Sequence, residues 1–253
     1  MPRYFLEVAY KGTAYSGFQI QNNAITVQAK VEAALLVLFK QQITLTGSSR
    51  TDAGVHALQN FFHFDAAISI NTKHLYNLNA ILPADIIAKN IKQVSDTAHC
   101  RFDAESREYK YYIYTTKNPF LADRAYFFPF KLNLDLLHKA AAILMEYQDF
   151  TSFSKKHTQV NNFHCNLLVS QWIIQENCLV YNVTSNRFLR GMVRALVATM
   201  IKVGREIITL QDFKNIIEAK DFSKAYFDTP GHGLFLVKVE YEPNEYSKKF
   251  TPR

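Results

Sequence analysis

The sequence predicts an α+β fold built as two related halves, each a mixed or antiparallel sheet with helices on one face. Three observations point there: a period-two pattern in the opening residues, a helical repeat directly after it, and the return of the same element order past residue 104. In RYFLEVAY, Tyr4, Leu6, Val8 and Tyr10 share one face, as a half-buried strand requires. KGTAYSGF then breaks the pattern and reads as a loop. Thr26 suits an N-cap, and Val27, Val31, Ala34, Leu35 and Leu38 follow at the spacing of one helix face. Thr44 and Leu45, and then residues 60–65, read as extended on either side of the loop RTDAGVHA. Leu75, Leu78 and Leu82 suggest a helix closed by Pro83, after which residues 86–94 return as a strand.

The second half opens on the strand REYKYYIYTT and continues with a helix through Leu137, Ala140, Ala141 and Leu144. Strands near 165–174 and 179–184, a helix over 189–203 and a final strand over 234–241 complete it. The expected division is therefore residues 1–104, carrying the RTDAG loop, and residues 105–253. The stretch YTTKNPFLADRAYFFPFKLN has turn-prone points at Asn118-Pro119, Asp123 and Pro129, and reads as an ordered excursion.

Composition narrows the function classes. The 253 residues are 48% hydrophobic and 20% charged, enough for a substantial core. Twenty-nine Lys and Arg against 22 Asp and Glu give a net charge of +7, which favours polyanionic partners without deciding among them. Cys100, Cys165 and Cys178 are odd in number and lack CxxC spacing, so neither a disulfide framework nor a zinc site is indicated. They read as small buried groups in a reducing compartment. The amino terminus alternates and carries Glu7 and Lys11, unlike a secretory or membrane-spanning segment, so a cytoplasmic protein is expected. No Walker loop, GxGxxG or HExxH occurs, which removes support for reactions at bound ATP, a dinucleotide or zinc.

The informative loop is TGSSRTDAGVHALQN, which packs Arg50, Asp52 and His56 into seven residues between extended segments. Polar loops on a rigid sheet are where binding groups concentrate. By itself, Asp-Ala-Gly is also an ordinary turn, His56 an ordinary packed imidazole and Arg50 an ordinary surface charge. The octapeptide alone decides nothing.

Its company does. AYKGTAYSGFQIQ near the start, RTDAGVHA, REYKYYIY, DFTSF with NRFLRGMVRALVATMIKVG, and PGHGLFLVKVEY resemble, in order and spacing, segments of the tRNA pseudouridine synthase A family across nearly the whole chain. Departures are Lys11 and Phe18, where that family commonly has an acidic residue and a tryptophan, Ser48-Ser49 before the signature, and Gly231 for a usual alanine. They bear on substrate contacts and loop geometry more than on the carboxylate.

The resemblance implies the pseudouridine synthase fold, with an active-site cleft between the halves. It makes Asp52 the indispensable carboxylate and Arg194 its basic partner. Arg50 helps hold the target nucleotide out of its helix, Tyr109 lies against the flipped uracil, and Leu234 lines the pocket. Tyr111, Tyr112 and Tyr114 crowd the same strand, so register could assign the wrong ring. Arg187, Arg190, Lys202 and Lys110 are candidates for a basic surface that tracks phosphates.

The implied partner is tRNA, modified at uridines 38 to 40 of the anticodon stem-loop by a homodimer, without a membrane. Neither cofactor nor metal is implied, because the reaction breaks the N1 glycosidic bond, turns the bound base and rejoins it through C5 with no redox change. A uracil leaving group spreads its charge over the imide, so one carboxylate can suffice where ordinary glycosidases need two. Asp52 could attack C1′, add to C6 or remove a sugar proton, since all three need an ionised oxygen. The competing functions are an RNA-binding module that performs no chemistry on the same scaffold, and an N-glycosidase that gives the sugar to water.

Overall fold

A computed structural model describes residues 1–156, 160 and 162–242. In chain order the elements are β1 (Arg3–Tyr10), α1 (Val27–Phe39), β2 (Thr46–Gly47), β3 (His56–Asp65), α2 (Thr72–Ile81), β4 (Ile86–Val94), β5 (Ala104–Tyr114), β6 (Tyr126–Phe127), α3 (Leu134–Leu144), β7 (Leu167–Gln175), β8 (Cys178–Ser185), α4 (Met192–Gly204), α5 (Leu210–Glu218) and β9 (Leu234–Tyr241). The fold is α+β, and two compact units divide it. The first joins Met1–Ser106 to residues 236–242, and the second is Arg107–Phe235. The last strand thus returns to the first unit, where the element order alone placed residues 105–253 together.

In the first unit the strand order is β4-β1-β3-β9. β1 lies antiparallel to both neighbours, with Leu6 opposite Phe62 on one side and Ile91 on the other. Tyr4, Leu6, Val8 and Tyr10 are buried as the alternation predicts, and Phe5 is buried too, because the other face is covered by Tyr241, whose ring centre is 5.5 Å from that of Phe5. Residues 236–241 are tied in by the Val239 amide on Gln59 Oε1 (3.0 Å) and by the Tyr241 hydroxyl on the Cys100 carbonyl (2.6 Å). Thr26 caps α1 by accepting the Ala29 amide, and Val27, Val31, Ala34 and Leu35 form its buried face. β3 also buries His63, whose Nδ1 accepts the Cys100 amide at 3.3 Å. Burial, then the adjacent His99 and Arg3, push its pKa down to about 4.

In the second unit β8 runs antiparallel between β5 and β7, with Tyr181 opposite both Tyr111 and Trp172. Trp172, the sole tryptophan of the chain, is 2% exposed, and its ring centre is 5.1 Å from that of Tyr181. Its indole Nε1 has no hydrogen-bond partner among the described residues. The excursion is ordered as expected, with β6 adding a short parallel pairing to β5.

Several expectations need correction. β2 falls at residues 46–47 instead of 44–45, and β3 starts at His56, so the end of RTDAGVHA is already strand. α4 starts at Met192, after Gly191 at φ 76, and not at 189. Every residue of it is buried except Arg194 and Lys202, as for a helix enclosed on nearly all sides. α5 was not expected. Its signal was present in a capping box between Thr209 and Asp212, followed by Phe213 and Ile217 on the buried face.

Candidate active site

The loop around Asp52 is fixed from both ends and from below. Asp52 begins a four-residue turn in which the Val55 amide donates to the Asp52 carbonyl (3.2 Å). Gly54, third in that turn, has φ 76, the conformation that position of a type II turn demands and that a side chain resists. The turn therefore projects Asp52 from a tight reversal, with its side chain half-buried.

The loop between β1 and α1 is laid directly on this turn. The Phe18 amide donates to the Thr51 carbonyl (3.1 Å) and the Gly54 amide to the Tyr15 carbonyl (3.3 Å). The Gly12 amide donates to His56 Nδ1 at 3.0 Å. That contact makes Nδ1 the acceptor, so the buried imidazole is a packed clamp and holds its own proton on Nε2. The approach at Gly12 leaves no room: a Cβ there would lie 1.9 Å from the Val55 carbonyl oxygen. Tyr10 hydroxyl and Thr51 Oγ1 are 2.8 Å apart, and Asn60 Nδ2 donates to both the Tyr10 hydroxyl (3.2 Å) and the Ser49 carbonyl (2.9 Å). Each such bond contributes only about 1 kcal/mol net, but those of His56, Thr51 and Asn60 are buried, so losing a partner would leave a costly orphan.

Of the sequence-predicted residues in this unit, Asp52 is at the turn and Arg50 is exposed two residues before it. The departures from the family pattern have structural readings. Phe18 is buried and stacks on Phe62 (4.4 Å between centres, 12° between planes), making it a core ring and not a substrate contact. Ser48 and Ser49 are buried beneath the loop, Ser49 tied to Asn60 through its amide.

The second unit presents the other predicted residues. Arg194 lies in the first turn of α4, and its Nε and one terminal nitrogen donate to the Thr229 carbonyl at 2.9 and 2.5 Å. Thr229 answers by donating its hydroxyl to the Arg194 carbonyl (2.9 Å). Sequence reading missed Thr229, since a backbone carbonyl has no residue signature. The segment after it is held by Tyr111, whose buried hydroxyl donates to the Pro230 carbonyl (2.8 Å). Burial pushes the Tyr111 hydroxyl pKa far up, so it is a fixed donor and not a proton shuttle. That commits Tyr111 to structure. Tyr109, two residues earlier on β5, sits edge-on to Phe188 with 5.0 Å between ring centres. Leu234 is buried at the start of β9, directly after the 3-10 turn Gly231–Gly233.

Among the described residues no cluster of histidine, cysteine and acidic side chains is arranged to hold a metal ion, and no helix is long and apolar enough to cross a membrane.

A family model described as tRNA pseudouridine synthase matches residues 7–103 and 140–242. The chain belongs to the tRNA pseudouridine synthase family. Relatives called tRNA pseudouridine synthase A include one from Parabacteroides distasonis, 44% identical over 95% of this chain and 96% of its own. One from Bacteroides thetaiotaomicron is 42% identical over 98% and 94%, and one from Staphylococcus aureus strain N315 is 37% identical over 98% and 94%. As a tRNA pseudouridine synthase it is an isomerase acting on tRNA. Both clamped elements, the Asp52 turn and the Arg194 end of α4, fall inside the matched residues.

Proposed function

We propose that this tRNA pseudouridine synthase isomerises uridines 38 to 40 of the anticodon stem-loop, with Asp52 as the nucleophile or base. The observation supporting it is the turn that projects Asp52 from a loop pinned by buried backbone contacts, a degree of preorganisation that an ordinary surface turn does not need. Arg194 serves the same uridine: a guanidinium favours the ionised form of a nearby carboxylate and steadies charge on the departing uracil. Tyr109 offers a ring to the unstacked base, for which stacking contributes about 1–3 kcal/mol. Leu234 closes the apolar side of the base, and Arg50, exposed beside Asp52, holds the target nucleotide out of its stack. The protein works as a homodimer in the cytoplasm, and no cofactor takes part.

The test is release of tritium from tRNA labelled at uridine C5, with purified protein and neither metal nor nucleotide added. Asp52→Asn abolishes release while tRNA still binds. A variant that kept the parental rate would remove Asp52 from the chemistry, and free uracil among the products would mark an N-glycosidase. Mapping pseudouridines in tRNA from cells lacking the gene fixes the positions, and sedimentation velocity gives the oligomeric state.

A further inference from the structure

α4 is enclosed so completely that its two residues with exposed surface, Arg194 and Lys202, stand out, and both are cations. They are eight residues apart, about 12 Å along the helix axis. Arg205 follows as the C-cap. Where Lys202 and Arg205 emerge, the second unit has a pocket of about 190 Å³ lined by Tyr126, Phe128, Phe130, Ile201, Asp228 and Thr229 as well as the two cations. The Tyr126 and Phe128 ring centres are 5.5 Å apart, and the Arg205 guanidinium lies 4.5 Å over the centre of Phe130, itself half-exposed. Lys202 is held by Asp228 at 2.9 Å.

This combination has a specific chemistry. A cavity of about 150 Å³ already accepts a benzene ring, so this one has room for a nucleobase. Aromatic walls stack bases of any identity, and cations at the mouth take phosphate. The Arg205 guanidinium over a half-exposed ring puts a cation and an aromatic face together beside the open pocket. The pocket is also joined to Arg194, because Thr229, which lines it, is the residue whose carbonyl holds the Arg194 guanidinium.

We propose that this pocket is a subsite for a second nucleotide of the RNA, its base against Tyr126 and Phe128 and its phosphate on Lys202 and Arg205. The subsite rests on the reading of Arg194 as part of the reacting site, since that places the RNA along this helix. Its occupant is a nucleotide that is not isomerised. Asp228 sets its strength by holding part of the charge of Lys202.

The measurement is fluorescence anisotropy of a tRNA transcript titrated with protein carrying Asp52→Asn, so that no turnover intervenes, over a series of salt concentrations. Arg205→Ala weakens binding roughly tenfold and makes the slope of log affinity against log salt shallower by about one, the signature of one lost phosphate contact. Tyr126→Ala weakens binding about as much with the slope unchanged, because stacking releases no counterions. Asp228→Asn frees Lys202, tightening binding and steepening the slope. If Arg205→Ala fails to fold, Arg205→Lys keeps the slope while losing the stack on Phe130. Parental affinity and slope in both Arg205→Ala and Tyr126→Ala overturn the subsite. So does conversion of dimer to monomer by the two variants in sedimentation velocity, which assigns the pocket to an interface between copies. Tritium release by the parent protein tests the reaction at Asp52 separately, and its failure would leave these binding results readable.

Discussion

The Asp52 turn and the Arg194 end of α4 are positioned by opposite means. Asp52 stands on a loop, and the loop is rigid because a second loop packs backbone against backbone upon it, so closely that Gly12 could carry no side chain. Arg194 stands on a helix buried on nearly every side, and its guanidinium donates twice to the Thr229 carbonyl. One element gains precision from excluded volume, the other from directed hydrogen bonds on a rigid rod. The lesson is that the first should tolerate almost no change in its frame, whereas the second should respond in graded fashion.

The largest expected effect follows from the first frame. Gly12→Ala pushes the Val55 carbonyl, displaces the Asp52 turn and lowers turnover by about a hundredfold or more, as displacements near 1 Å do; steady-state tritium release measures it, and an alanine variant with near-parental turnover would dissolve the contrast. Arg194→Ala lowers turnover by a comparable factor of about 10²–10³, but the protein melts near the parental temperature, because the rod around it is intact. Arg194→Lys recovers little, since a point charge cannot span the Thr229 carbonyl as the guanidinium fork does. Thr229→Val is milder. It removes the hydroxyl bond to the Arg194 carbonyl, about 1 kcal/mol or roughly fivefold in turnover, and it should cost nothing further when Arg194 is already alanine.

The last effect is read in stability instead of turnover and concerns the first unit. His63, in the first unit, titrates near 4 when folded and near its ordinary value of about 6.5 when unfolded. Between those values the unfolded chain binds more protons, so stability falls as pH drops from about 6.5 to about 4 and is level in His63 outside that window. His63→Gln should flatten that part of the stability curve in urea titrations.

Much of this was legible in the sequence where one physical signal dominated. β1, β4 and β9 have the bounds that their apolar patterns suggested, and Thr26 capped its helix as its type allows. α5 escaped because only Phe213 and Ile217 face the core, too short a stripe against a polar surround, although the capping box was there to be read. α4 was expected from Leu189 because that leucine continues the apolar run, but Gly191 at φ 76 sets its start at Met192. The acid and base candidates were readable as residue types, but their supports were not. Thr229 acts through its carbonyl, and Gly12 through what it lacks, neither of which a residue type announces.

Trp172 gives this chain a reporter that its fold has confined to one place. Being the sole indole, dry and packed on Tyr181, it emits as a buried fluorophore, and its emission follows the second unit alone. Circular dichroism, by contrast, sums both units. Superimposable transitions from the two signals would mean that the units melt as one cooperative block, while a gap between them would resolve the order in which they come apart.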